Sequence, residues 1–388
     1  MSKRFCSELI IEDHTVVGIR GDPSELTSLT LPNTVTTIGN EAFRDCSNLT
    51  SLTLPNTLTT IAYLSFHCCS GLTSLTLPNT LTTTGECAFQ CCSGLTSLTL
   101  PNTLTTIGCS AFAGCDGLIS LTLSNTLTTI GEYAFNRCYA LTSLTLPNTL
   151  TTIENATCLN CCGLISVKLP NTLTTIGYAA FANCSGLTSL TLPNTLTNIG
   201  HGAFLGCRGL TSLTLPNTLT TIGDEGFRDC LGLTSLTLPN TLTTIGECWG
   251  LGPKLKMWRV SRYTKRVKGR SGAFENCVNL TSVTLPNTVT TIGERAFKNC
   301  RELTSITLPN AVTIERGAFF DCPKLTSVVF RPPVSWGAFV CWAVGSSRNR
   351  DNWQLTTLRH LRNVLRLITT FALWSQKDGS DIDLFRVL

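Results

Sequence analysis

The sequence predicts a solenoid, a chain wound into stacked coils of 23 residues that share one core and place a parallel strand in every coil. Three observations predict it. The string Leu-Thr-Ser-Leu-Thr-Leu-Pro-Asn-Thr-Leu returns with few changes from Leu26, Leu49, Leu72, Leu95, Leu118, Leu141, Leu164, Leu187, Leu210 and Leu233, each start 23 residues after the last, and resumes at Leu280, Leu303 and Leu325. Self-similarity at a fixed period of this length marks a repeat architecture. Within a copy, Leu29 and Leu31 alternate with Ser28 and Thr30, the period of a half-buried strand. Finally, two apolar rungs run through the copies: phenylalanine from Phe43 to Phe319, interrupted only by Cys158, and cysteine from Cys46 to Cys322.

Taken in order, residues 1–25 precede the first copy, and Leu9 to Ile19 are expected to cap that end of the stack. Copies fill residues 26–248 and 273–330. In the first copy Pro32 lacks a donor and ends the strand. Val35 and Ile38 turn inward again, Gly39 is expected to supply a backbone angle that other residues resist, and Ala42, Phe43 and Cys46 fill the remaining interior. Asparagine recurs in all twelve complete copies, from Asn33 to Asn310, where its amide is expected to bond the backbone of neighbouring turns. One coil buries too little apolar surface to offset the ordering of its backbone, so the coils must stack and share a core. Thirteen strands at the usual spacing make a stack roughly 60 Å long.

Removing Trp249 to Gly272 joins Gly246-Glu247-Cys248 to Ala273-Phe274 and restores the repeat, with the same junction as Gly85 to Phe89. Residues 249–272 are therefore an insertion at a turn, where stacked strands are left intact. The segment carries Lys254, Lys256, Arg259, Arg262, Lys265, Arg266, Lys268 and Arg270, with Trp249, Trp258 and Tyr263 and no acid. As a loop it suits an anionic polymer, a membrane surface or a calmodulin-like partner, and these basic residues are its candidate contacts. Unspliced non-coding sequence accounts for it more simply. After Phe330 the repeat decays, and residues 331–388 are expected to form a C-terminal cap. There Leu355, Leu358, Leu361, Leu365 and Ile368 follow helical spacing, so Gln354 to Trp374 is read as a helix covering the last coil.

The full unit, L-T-S-L-T-L-P-N-T-L-T-T-I-G-x-x-A-F-x-x-C-x-x, resembles the treponemal-type, BspA-like class of leucine-rich repeats, copy by copy from about Leu26 to Phe330. The resemblance implies a curved leucine-rich repeat solenoid with a parallel strand-lined concave face. It also implies a binding or adhesion protein rather than an enzyme, in many members exposed at the cell surface.

Net charge is +5, but the average misleads. The insertion and the C-terminal segment hold sixteen of the basic groups and four of the acids, leaving a repeat body of 13 basic against 20 acidic groups, or −7. A nucleic-acid interface needs clustered Lys and Arg on the folded surface, and the body is expected to bind none. Met1 to Ile19 shows no secretory signal, because Glu8, Glu12, Asp13 and His14 interrupt its apolar residues. Arg359, His360, Arg362 and Arg366 break the most apolar later segment, so no transmembrane segment is expected.

Chemistry-bearing residues are sparse. The twelve ladder cysteines read as free core thiols, since parallel side chains on neighbouring rungs are poorly placed for disulfides. Cys158-x-x-Cys161-Cys162 is the one cluster with a metal-like or redox-like spacing, but without a second pair it reads as core substitution, and no metal site is expected. An odd count of 21 cysteines, mostly unpaired, favours a reducing compartment. His14, His67, His201 and His360 fall in separate segments and form no catalytic motif. Gly250 to Lys254 lacks the spacing of a phosphate loop, and Asp378, Asp381 and Asp383 lack the pattern of a calcium loop. The sequons at Asn48, Asn155, Asn183 and Asn279 matter only on a secreted chain.

These readings converge on a non-enzymatic scaffold for protein–protein interaction, cytoplasmic and without a cofactor, whose partner and oligomeric state are left open. The candidate partner-binding residues are the outward hydroxyls Ser28, Thr30, Ser51, Thr53, Ser74, Thr76, Ser97, Thr99, Ser143, Thr145, Ser189, Thr191, Ser212 and Thr214, a monotonous lattice broken by Ile119, Ile165 and Lys168. The variable pairs of the outer turns, such as Asn40-Glu41 and Arg228-Asp229, are the alternative surface, read first as drift on solvent-exposed loops. The alternative function is a secreted or cell-surface adhesin whose hydroxyl rows meet a glycan or ice lattice.

Overall fold

A computed structural model describes residues 8–247, 272–309 and 312–330. The expected C-terminal cap and helix, and the basic residues Lys254 to Arg270, lie outside the described residues. The chain begins with a hairpin, β1 (Glu8–Glu12) running antiparallel to β2 (Thr15–Arg20). Its two-residue loop puts Asp13 and His14 at φ 44° and 63°, the left-handed pair that matches the twist of a tight hairpin. A single turn of 3-10 helix at Pro23–Glu25 leads into the first coil, with the Asp22 carboxylate accepting from the Ser24 N–H at 2.9 Å.

Each coil then contributes two short strands. In the first coil these are β3 (Ser28–Thr30) and β4 (Thr37–Ile38). Both rows pair in parallel without shift: Ser28 faces Ser51 and Thr30 faces Thr53, while Thr37 faces Thr60 and Ile38 faces Ile61. Alternation in the first row leaves Ser28 and Thr30 exposed, as the sequence pattern requires. The second row was not anticipated. Two residues are too few to show a period, and it is the neighbouring coil, not local pattern, that makes Thr37–Ile38 a strand. The hairpin ends this second row: β2 pairs with β4, and Val16 occupies the isoleucine rung fully buried.

The outer turns complete each coil by alternating their hydrogen bonds. Glu41, Phe43 and Asp45 donate forward to the carbonyls of Tyr63, Ser65 and His67 at 2.8 to 2.9 Å. Ala42, Arg44 and Cys46, between them, donate back to Gly39, Glu41 and Phe43 within the coil. In the first coil every N–H from Glu41 to Cys46 is thus used. The alternation places Glu41 and Asp45 at φ 56° and 62°, and the corresponding residues of most later coils share that left-handed backbone. The strained angle therefore falls on the variable pairs rather than on Gly39, whose φ is ordinary. The glycine rung serves clearance instead: a Cβ on Gly108 would stand 2.4 Å from the Gly85 carbonyl oxygen, and one on Gly85 2.5 Å from the Ala62 carbonyl carbon.

Inside, the phenylalanine rings stack, Phe66 on Phe89 with centroids 5.2 Å apart and planes 4° from parallel. Most buried ladder thiols donate to the phenylalanine carbonyl of the preceding coil, as Cys69 does to Phe43 at 3.2 Å, and Cys184 donates to the carbonyl of Cys158, which replaces phenylalanine there. The same bond joins Cys277 to Phe227 at 3.3 Å although 50 residues separate them rather than 26, so the coils on either side of the insertion stack as direct neighbours. The axial side-chain bonds come mainly from threonine, not from the expected asparagine amides. Thr103 donates to the Leu81 carbonyl at 2.8 Å and Thr218 to that of Leu196 at 2.8 Å. The asparagine rung is exposed in the described coils, where Asn148 Oδ1 accepts from the Asn171 N–H at 3.2 Å.

One coil, Leu141 to Gly163, breaks two of these ladders. Glu154 stands at the glycine rung and Cys158 at the phenylalanine rung. The second-row sheet divides here, one seven-stranded sheet ending at Thr129–Ile130 and the next beginning at Thr152–Ile153. The sheet stays continuous past Ala62 at the same rung and divides at Glu154. Opposite signs are therefore expected on one rung. Gly108→Ala should lower the thermal midpoint, at a cost of about 1–3 kcal/mol, whereas Glu154→Gly should raise it, both read by calorimetric melts of the full chain.

Candidate functional site

The first-row strands fix the candidate surface because each anchors its middle residue in the core and leaves the flanking two outside. Ser28, Thr30, Ser51, Thr53, Ser74, Thr76, Ser97, Thr99, Ser143, Thr145, Ser189, Thr191, Ser212 and Thr214 are all exposed. Their neighbour one position before the strand behaves differently. Thr50 donates its hydroxyl to the Thr27 carbonyl at 3.0 Å, and Thr96 to Thr73 at 3.2 Å, so that threonine row is engaged in holding coils together. The serine and second threonine rows make no side-chain hydrogen bond among the described residues, which leaves their hydroxyls available to a partner.

The lattice is interrupted at the middle of the stack. Ile119 and Ile165 occupy the engaged threonine row with half of each side chain exposed, and Lys168 replaces the outer threonine of strand Ser166–Lys168. The first-row ladder is interrupted there, Ser120–Thr122 ending a three-stranded sheet and Ser143–Thr145 pairing only forward with Ser166–Lys168, as it also is between Ser51–Thr53 and Ser74–Thr76 and between Ser166–Lys168 and Ser189–Thr191. A shallow recess lies in the opening after Ser120–Thr122, lined by Leu121, Thr122, Leu123, Asn125, Thr145 and Pro147. In the same coil Ser124 replaces the strand-ending proline, and its hydroxyl accepts from the Thr126 N–H at 3.1 Å. The isoleucines were legible in the sequence as exceptions. The opening between the strands was not.

The cysteines divide by single positions. Cys69, Cys92 and Cys161 are buried, while Cys68 is half-buried and Cys91 and Cys162 reach the surface. Cys158 and Cys161 thus sit in the core and Cys162 outside it, so that cluster does not converge on one ligand position. A different one does: His67, Cys68 and Cys91 bring their ligand atoms within 4.8 Å of one another. The signal available beforehand was the adjacent pair His67-Cys68 with Cys91 one full repeat later. Burial lowers the His67 pKa and raises that of Cys68, and burial together with the neighbouring Cys68 pushes Cys91 up to about 11.

The BspA-type leucine-rich repeat profile matches residues 22–142, 128–249 and 268–339. The chain belongs to the BspA-type leucine-rich repeat family. Among solved structures, a leucine-rich repeat protein from Bacteroides ovatus is 26% identical, aligns over 86% of this chain and 90% of its own, and superposes with a TM-score of 0.71. A leucine-rich cell-surface protein from Faecalibacterium prausnitzii is 21% identical over 84% and 92% of the two chains, with a TM-score of 0.46. No curated protein matches the sequence. In this BspA-type chain no helix among the described residues is long and apolar enough to cross a membrane.

The BspA-type cysteine ladder has a titration consequence. Burial pushes the Cys207, Cys277 and Cys322 thiols from 9.0 up to about 12, and raises those of Cys92, Cys230 and Cys300 as well. Between those values the unfolded thiol ionises while the folded one stays protonated. Stability from these rungs is therefore complete below pH 9 and is lost as pH rises toward 12, by about 1.4 kcal/mol per pH unit for each buried thiol. Thermal melts under reducing conditions should show a midpoint that is flat up to about pH 8.5 and falls steeply above about pH 9.5.

Proposed function

We propose that this chain is a non-enzymatic scaffold that binds a protein partner on its three-residue strand face, with Ile119, Ile165 and Lys168 at the centre of the contact. The observation that carries this reading is the pair of half-exposed isoleucines held by rigid strands among hydroxyls that their own chain leaves unused. Apolar side chains on a fixed backbone lose little freedom on binding, and such anchors dominate interface energetics over the polar contacts around them. BspA-type leucine-rich repeats serve generally as protein-binding scaffolds, which supports the class of function without naming a partner. Free thiols at so many positions, including exposed Cys91 and Cys162, support a reducing compartment such as the cytoplasm.

The unshifted register of the hydroxyl rows favours one second reading, an adhesin whose face meets a periodic glycan surface at the strand spacing of about 4.8 Å. The two separate experimentally. A variant carrying Ile119→Thr, Ile165→Thr and Lys168→Thr makes the lattice regular. Quantitative affinity capture from the native source should show the bound protein reduced at least about tenfold for this variant, while Tyr63→Ser on the outer turns leaves it unchanged. Glycan-array binding that survives the triple change and is lost on Thr76→Val and Thr99→Val would replace the scaffold with the adhesin.

A further inference from the structure

We propose that His67, Cys68 and Cys91 form a binding site for a zinc-type thiophilic cation on the outer turns of the second and third coils. The stacking itself builds it. Cys68 and Cys91 hold the same rung of successive coils, and both have a left-handed backbone at φ 61°, so their thiols leave the outer turn side by side. The coils stand about one strand spacing apart. Two thiolates on one tetrahedral zinc ion, each at about 2.3 Å from the metal, lie roughly 3.8 Å from one another. Ligand atoms already within 4.8 Å need only a small side-chain adjustment to reach that separation.

The third donor is in place beside them. His67 Nε2 stands 3.2 Å from the Cys68 sulfur, while His67 Nδ1 is buried with no hydrogen-bond partner. Nε2 is the nitrogen that faces the thiols, so a cation would bind there and hold the ring in the tautomer with its proton on Nδ1.

Space and charge agree with this assignment. The next rung after Cys91 is Gly114, where a Cβ would lie 3.2 Å from the Cys91 sulfur, so glycine keeps that side of the thiol uncovered. Two thiolates neutralise a divalent cation, which lets the site sit beside Arg44, itself held by Glu41 at 2.9 Å and facing Asp45 at 3.4 Å. The donor set of one imidazole and two thiolates selects a thiophilic ion over calcium or magnesium, which take oxygen ligands. Three protein ligands leave a fourth position for water.

The test is a cobalt(II) titration of the full chain, reduced, metal-stripped and kept anaerobic, followed by visible and near-ultraviolet absorption. One equivalent should bind with the intense visible bands of a tetrahedral ion and a thiolate-to-metal charge-transfer band, and zinc should displace it. Cys68→Ser and Cys91→Ser should each weaken binding at least about tenfold. Cys162→Ser, which removes a surface thiol outside the cluster, should leave it intact, and circular dichroism checks that each variant is folded. Absence of the charge-transfer band, or a band indifferent to Cys68→Ser and Cys91→Ser, overturns the site. So does peptide mapping that finds Cys68 joined to Cys91 by a disulfide in the protein from its native source.

Discussion

The unshifted parallel pairing of Ser28 with Ser51 and of Thr37 with Thr60 sets the distance between coils at about one strand spacing. At that distance like residues stand over like residues, and each rung must be able to stack on itself. Phenylalanine does so through offset ring contacts, threonine through its hydroxyl and the carbonyl one coil away, cysteine through its thiol and the phenylalanine carbonyl. Glycine meets the same constraint by having nothing to stack, where the backbones come too close for a Cβ. The repeat is nearly invariant inside because a change at any rung is felt by two neighbours.

The coil from Leu141 to Gly163 shows what happens when a rung fails. Glu154 brings a side chain into a position that admits almost none, and Cys158 leaves the aromatic stack divided between Phe135 and Phe181. The second-row sheet ends and restarts there, and the first-row sheet is open on the coil before. Irregularity in the core and irregularity on the surface coincide: Ile119, Ile165 and Lys168 lie in the coils around the break. A surface that is otherwise a repetition of hydroxyls acquires a distinguishable centre over the coil that breaks the glycine and phenylalanine rungs.

The same stacking gives adjacent cysteines opposite chemistry. Cys69 and Cys92 point into the core, protonated and hydrogen-bonded, while Cys68 and Cys91 point outward and meet a histidine. One residue of offset decides between a packing role and a ligand role, because the left-handed backbone at Cys68 and Cys91 turns the outer residue away from the interior. Solenoid registration thereby converts residues 23 positions apart into spatial neighbours, and any polar residue that recurs on two successive copies becomes a pair.

By itself the sequence determined the coil: its period, its strand, the inward rungs from Leu29 to Cys46, and the insertion that leaves the repeat intact when removed. These were legible because each is a pattern repeated many times along one chain, and apolar periodicity is read locally. Tertiary structure alone decided what depends on the next coil. The second strand row, the clearance role of the glycines, the threonine ladders that do the work expected of asparagine, the opening beside Ser120–Thr122 and the meeting of His67, Cys68 and Cys91 all arise between coils. The physical reason is that a repeat pattern specifies which residues face inward, whereas the distance and register between neighbouring backbones specify which groups touch.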